Sequence, residues 1–194
     1  MDQYYKKLDT HEDLEIHKSV VLDAIDQKDK SLVEKAIKIV VEYHNTPRTM
    51  YEGTYNRHPI RVARILLEEF DVKDTNAILI ALCHDLGEWS DYDVDKLEKE
   101  FGADIKAGVE ALTWSPHETW ETFFQSIVST GDEDLLKVKM ADKLDNNRAA
   151  LFSDDKHKQK AKEKTELIVR PFIEKRFPEY WKKFEESLLF PNSR

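Results

Sequence analysis

Residues 77–83 are apolar at every position, and the next two residues are His84 and Asp85. A helix that is apolar on all sides has no face to turn to water, so this segment belongs at the centre of a domain with other elements packed round it. The rest of the chain offers helices for that purpose. Val33, Ala36, Ile37, Val40 and Val41 recur at helical spacing, which predicts a helix over 31–44, with Ser31 and Glu34 placed as a capping box. A helix starting near His58-Pro59 carries Val62, Ile65, Leu66 and Phe70 inward. The central helix is expected to begin at Asp74 or Thr75 and to stop at Gly87. Further helices are expected over 12–26, 93–101, 103–113, from Ser115-Pro116 to about 128, and over 132–151, 154–176 and 178–189. Glycine and proline together number only 11 of 194 residues (5 and 6), too few for a many-turned β architecture. The expected class is all-α, a helical bundle with a central buried helix. One domain over 1–194 is expected, with a core at about 30–152 and C-terminal helices at 154–189.

The two residues that end the apolar run raise a question. Burying a carboxylate is costly unless a cation or donors compensate it. Either the end of the helix is exposed and both residues are solvated, or they face something. Asp142 bears on the choice. In the stretch 135–145, Leu135, Val138, Asp142 and Asp145 share one helical stripe, so an acid stands at a core position and implies a partner. His58 lies one turn before Val62, on the inner face of its own helix. Two imidazoles and two carboxylates from three helices suit one borderline divalent metal such as Mn, Fe, Co, Ni or Zn. The single cysteine, Cys83, excludes a disulfide framework and a cysteine-based zinc site.

The order H…HD…D, within EGTYNRHPIRVARIL (52–66), ALCHDLGE (81–88), FGADIKAGVEALT (101–113) and VKMADKLDNNRAAL (138–151), resembles the HD superfamily of metal-dependent phosphohydrolases. It is particularly similar to the RelA/SpoT-type (p)ppGpp hydrolase domain and the stand-alone small alarmone hydrolases. The resemblance implies an HD-domain fold and a single Mn²⁺ on His58, His84, Asp85 and Asp142. It also implies a catalytic role for Glu88 and substrate contacts from Arg48 and Asn146. At one place the chain departs from the pattern: the family reads HDxxED, and here HDLGEW puts Trp89 where the second acid stands.

The implied activity is metal-dependent hydrolysis of a phosphate or pyrophosphate ester on a nucleotide, like a (p)ppGpp 3′-pyrophosphohydrolase. The alternatives are an HD nucleotidase acting on nucleoside monophosphates, with Asp93 as its second acid, and a silent scaffold that binds a nucleotide or a protein. A bound divalent ion acidifies its water and polarises a phosphoryl oxygen, and Glu88 could orient or deprotonate that water. Lys139, Lys143 and Arg148 could neutralise phosphate, with Arg57 and Arg61 as further candidates, and Trp89 could stack on a base. His44 reads as a core or wall residue. The lysines at 156, 158, 160, 162 and 164 read as a solvated face. The net charge of 30 − 39 = −9 argues against a general nucleic-acid coat. With no leader-like apolar segment and no run near the roughly 20 residues of a membrane span, a cytoplasmic protein with a small-molecule substrate and no membrane partner is expected.

Overall fold

A computed structural model describes residues 11–45 and 54–189. The described residues form helices α1 (His11–Ala24), α2 (Lys30–Tyr43), α3 (Arg57–Glu69), α4 (Thr75–Cys83), α5 (Leu86–Trp89), α6 (Lys96–Phe101), α7 (Ala103–Leu112), α8 (Trp120–Ser129), α9 (Glu133–Ala150), α10 (Asp155–Lys164), α11 (Arg170–Arg176) and α12 (Pro178–Ser187). A π-helical turn, Thr165–Val169, joins α10 to α11. No strand occurs among the described residues, so the class is all-α.

The apolar run lies where its composition requires. Every residue from 77 to 83 is buried, and α4 packs against α2, α3, α7 and α9. Asp74 starts the helix by accepting a hydrogen bond from the Ala77 N–H at 2.9 Å. Its packing against α7 depends on Gly108, since a Cβ there would collide with the Ile80 side chain. The second frame of the molecule is α3, which packs on α1, α4 and α9.

Three expectations about helix ends are corrected. The central helix does not run to Gly87; it ends at Cys83, and Gly87 lies inside α5. The cause is local: the His84 ring Nδ1 lies 2.8 Å from the Ala81 carbonyl, taking the acceptor that a continuing helix would use. Gly87 instead permits close approach, with an added Cβ coming within 3.3 Å of Thr113 and Val94. At the start of α2 the Ser31–Glu34 box does not form. Asp29 occupies the cap position without a side-chain cap bond and accepts from the Thr75 hydroxyl at 2.9 Å, tying the starts of α2 and α4 together.

Ser115 and Glu118 close a turn rather than open a helix: the Glu118 N–H donates to the Ser115 carbonyl and Glu118 Oε1 accepts from the Ser115 N–H at 3.1 Å. Thr119 then caps α8 by accepting from the Thr122 N–H. The helix expected over 154–176 is present as continuous helix over 155–176, widened to a π turn at Thr165. Its hydroxyl bonds the Ala161 carbonyl at 2.8 Å and pairs with Asn147 of α9, and Pro171 brings no N–H to the next turn.

Candidate metal centre

α3, the turn between α4 and α5, and α9 meet at a buried cluster. His58 is the second residue of α3, His84 and Asp85 form the turn after α4, and Asp142 faces them from the middle of α9. All four are buried. His58 Nε2 lies 3.3 Å from Asp85 Oδ2 and 3.2 Å from Asp142 Oδ1. His84 Nε2 lies 3.2 Å from Asp85 Oδ1 and 3.8 Å from Asp142 Oδ1. Donor atoms of His58, His84 and Asp85 all fall within 4.8 Å of one another.

The two rings are set the same way round. His58 Nδ1 lies 2.7 Å from Asp145 Oδ2, and His84 Nδ1 lies 2.8 Å from the Ala81 carbonyl. Both partners accept, so in the neutral imidazoles Nδ1 carries the proton and Nε2 presents its lone pair to the cluster. His84 Nε2 is buried without a conventional hydrogen-bond partner, and His58 Nε2 is buried facing the same two carboxylates. Two buried imidazole Nε2 atoms aimed at two carboxylates form a donor set that fits a divalent cation. Without a cation, protons take up the negative charge. Burial opposes a charged His84, but Asp85 and Asp142 outweigh it and push its pKa up to about 10. Burial likewise opposes the charge on the two acids, yet His84 beside Asp85 and Lys139 beside Asp142 hold both well below the usual carboxylate range.

The supporting residues were only partly expected. Asp145, fully buried, accepts from His58 and also from Arg61 Nε at 2.9 Å and Nη2 at 3.2 Å. Arg61 is therefore a brace behind the His58 ring, turned to Asp145 and not to a phosphate. Arg57 is buried and bonds the Thr54 hydroxyl. Arg148 is also removed from the substrate candidates, since it forms a two-pronged pair with Glu69 at 2.6 and 2.9 Å. Tyr55, to which the sequence reading gave no role, donates its hydroxyl to Asp85 Oδ2 at 2.6 Å. Its only advance signal was its position three residues before His58. His44 is buried against the Tyr55 ring, centroids 5.1 Å apart, as expected of a wall residue.

Glu88 is half-buried in α5, and its Oε1 accepts from the Trp114 N–H at 2.5 Å. Its pKa is raised, first by burial and then by the charge of Asp85, against the lowering effect of the Trp114 bond. Trp89 is 60% exposed, with its ring 6.3 Å from that of Tyr55 and tilted 32° to it. Asn146 donates to Asp142 Oδ1 at 2.5 Å. Lys139 and Lys143 are both buried; Lys139 pairs with Asp142 Oδ2 at 2.9 Å. Burial, aided by the nearby charge of Lys164, lowers Lys143 to about 7. Asp93, the second acid of the nucleotidase alternative, is exposed and accepts from the Asp95 N–H. Arg48 lies outside the described residues.

Among known proteins, the chain is similar to several named guanosine-3′,5′-bis(diphosphate) 3′-pyrophosphohydrolases or GTP pyrophosphokinases. It is 39% identical over 83 residues to human guanosine-3′,5′-bis(diphosphate) 3′-pyrophosphohydrolase MESH1, a match covering 42% of this chain and 46% of that protein. It is 30% identical over 147 residues to a probable GTP pyrophosphokinase of Mycobacterium leprae, covering 72% of this chain and 18% of that one. A third relative, the Aquifex aeolicus guanosine-3′,5′-bis(diphosphate) 3′-pyrophosphohydrolase, is 28% identical over 144 residues, 71% of this chain and 20% of its own. The chain thus spans about half the length of MESH1 and about a fifth of the longer relatives. A solved structure of a metazoan orthologue of SpoT shares the fold with a TM-score of 0.57 at 21% identity, covering 81% of this chain and 85% of that one. No family model matches the chain. No helix among the described residues is long and apolar enough to cross a membrane.

Proposed function

We propose that this protein is a metal-dependent hydrolase of a phosphate or pyrophosphate ester on a nucleotide, acting in the cytoplasm in the manner of a (p)ppGpp 3′-pyrophosphohydrolase. The observation that carries the reading is the convergence of the buried Nε2 atoms of His58 and His84 on the carboxylates of Asp85 and Asp142. These four residues would hold one divalent ion, which we assign as Mn²⁺. When bound, such an ion acidifies water and stabilises charge on a phosphoryl oxygen. The likeness to MESH1 and to the Aquifex hydrolase, both named for acting on guanosine-3′,5′-bis(diphosphate), supports the substrate class.

The remaining roles fall to the chain's own groups. Glu88 is the general base. The Trp114 N–H holds its Oε1, which leaves Oε2 to orient the attacking water and take its proton, and its raised pKa suits that exchange. Lys139 and Lys143 face the phosphate, and Asn146, held on Asp142, contacts the substrate beside them, as does Arg48. Trp89, with Tyr55 beside it, offers an apolar face for the base.

The test is a panel of guanosine tetraphosphate, nucleoside mono- and triphosphates and NADPH, with and without Mn²⁺. The reading expects Mn²⁺-dependent release of pyrophosphate from guanosine tetraphosphate. Orthophosphate release from monophosphates alone would instead make it a nucleotidase. No turnover of any member by metal-loaded protein would leave a binding scaffold.

A further inference from the structure

Beside the metal centre the lysines assigned to the phosphate are joined by a third cation, Lys164, that has no role in the reaction proposed above. Lys139 and Lys143 project from α9 one turn apart, and Lys164, the last residue of α10, projects toward them. All three ammonium groups gather on one indole. Their Nζ atoms lie 6.0 Å (Lys139), 5.9 Å (Lys143) and 4.8 Å (Lys164) from the centre of the Trp120 ring. Lys139 has a carboxylate partner in Asp142. Among the described residues, neither Lys143 nor Lys164 has a carboxylate within ion-pair distance, and Lys143 is only 6% exposed.

That arrangement is unfavourable as it stands. A buried ammonium without an anion is costly, and each ammonium has three donors to satisfy. One indole face returns only about 0.5–2 kcal/mol per cation and accepts no conventional hydrogen bond. The placement of Lys164 is nevertheless enforced. The next residue, Thr165, pairs its hydroxyl with Asn147 of α9 at 3.0 and 3.2 Å, and Asn147 lies one turn beyond Lys143. The π turn that starts at Thr165 thus pins the end of α10 beside Lys143; π turns are often found at functional sites. The opposite wall gives no other cation, because residues 113–131, including all of α8, contain neither lysine nor arginine.

We propose that Lys164, together with Lys143 and Lys139 around Trp120, forms an anion subsite for the phosphate next to the one hydrolysed, so that Lys164 selects substrates carrying a diphosphate. The inference rests on the phosphohydrolase reading for its position. The cluster begins at Asp142, through Lys139, and extends one helical turn, about 6 Å, along α9. A phosphoryl group held at the centre would have its neighbouring phosphate within that reach. A diphosphate also fans its oxygens out from two phosphorus atoms, enough to meet several ammonium groups.

The experiment titrates inorganic pyrophosphate and orthophosphate into the metal-stripped full chain by calorimetry, for wild type, Lys164→Ala and Lys164→Arg. Pyrophosphate should bind more tightly than orthophosphate. Lys164→Ala should weaken pyrophosphate by about tenfold, the loss of one hydrogen bond to a charged group. Lys164→Arg should restore binding to within a few-fold, and both variants should still load metal fully. If wild type binds no pyrophosphate, or Lys164→Ala binds it as wild type does, the subsite is refuted. Turnover of guanosine tetraphosphate separates this from the underlying reading. Pyrophosphate binding through Lys164 without turnover would sink the hydrolase proposal and leave the subsite. Turnover whose KM is unmoved by Lys164→Ala would do the reverse.

Discussion

Replacing Asp145 with asparagine should damage both stability and metal affinity, and a second substitution should separate the two. Asp145 is fully buried and joins two elements: it accepts from His58 Nδ1 at 2.7 Å and from Arg61 at 2.9 and 3.2 Å. Burial opposes its charge, but Arg61 and His58 outweigh burial and hold the acid well below the usual carboxylate range. Asparagine keeps the shape and one acceptor but removes the charge. The Arg61 guanidinium, 1% exposed, is then buried without its anion, and breaking such a pair costs about 3–5 kcal/mol. The carboxylate also raises the basicity of His58 as a ligand, and losing such a partner lowers metal affinity by about 10–100-fold. In the double variant Arg61→Met, Asp145→Asn the stranded charge is gone. Urea unfolding of the metal-free proteins should therefore show the single variant well below wild type and the double variant most of the way back. Competition with a chelator should show metal affinity reduced in both. If folded Asp145→Asn holds metal within twofold of wild type, the brace does not act through His58 and this argument is wrong.

Glu88→Gln should keep metal content and KM while turnover falls by about 10²–10⁴-fold; a kcat within a few-fold of wild type would assign the proton to another group. Trp89→Asp should raise hydrolysis of guanosine tetraphosphate relative to the nucleotide that wild type turns over best, because stacking on a base is worth about 1–3 kcal/mol and an acid cannot supply it. An unchanged substrate ranking would make Trp89 a surface residue and nothing more. The Glu69–Arg148 pair should make stability depend on pH. Burial opposes the Glu69 charge, but Arg148 and Lys183 outweigh it and lower the pKa, so the pair's contribution is present above the ordinary value of 4.5 and is lost as pH falls through the lower folded value. Glu69→Gln should lose stability at pH 7 and lose little at strongly acid pH; equal losses at both would refute the linkage.

How much of this was legible in the chain depends on the kind of information needed. The centre of the fold could be read because residues 77–83 leave a helix no solvent face, and Asp142 could be read because it interrupts an inward stripe. That stripe also carries Asp145, but spacing cannot tell which carboxylate meets Nε2 and which meets Nδ1 of His58. The distinction depends on how α3 lies across α9. The end of α4 was misplaced because the competition is between a side chain and the backbone, the His84 ring taking the Ala81 carbonyl, where periodicity reports only burial. The lysines after 155 illustrate the same limit. Alternate spacing is that of a solvated face, and Lys156, Lys160 and Lys162 are indeed exposed. Lys164 departs from them because Thr165 bonds Asn147, a contact 18 residues away in sequence that no local pattern records.

Metal content is the most direct test of the proposed centre. Wild type and Asp85→Ala should be stripped, reloaded with Mn²⁺, desalted and measured by elemental analysis, with circular dichroism confirming that both remain helical. One ion per wild-type chain is expected, and none retained by folded Asp85→Ala. Full metal content in that variant, or none in wild type, would contradict the proposed centre.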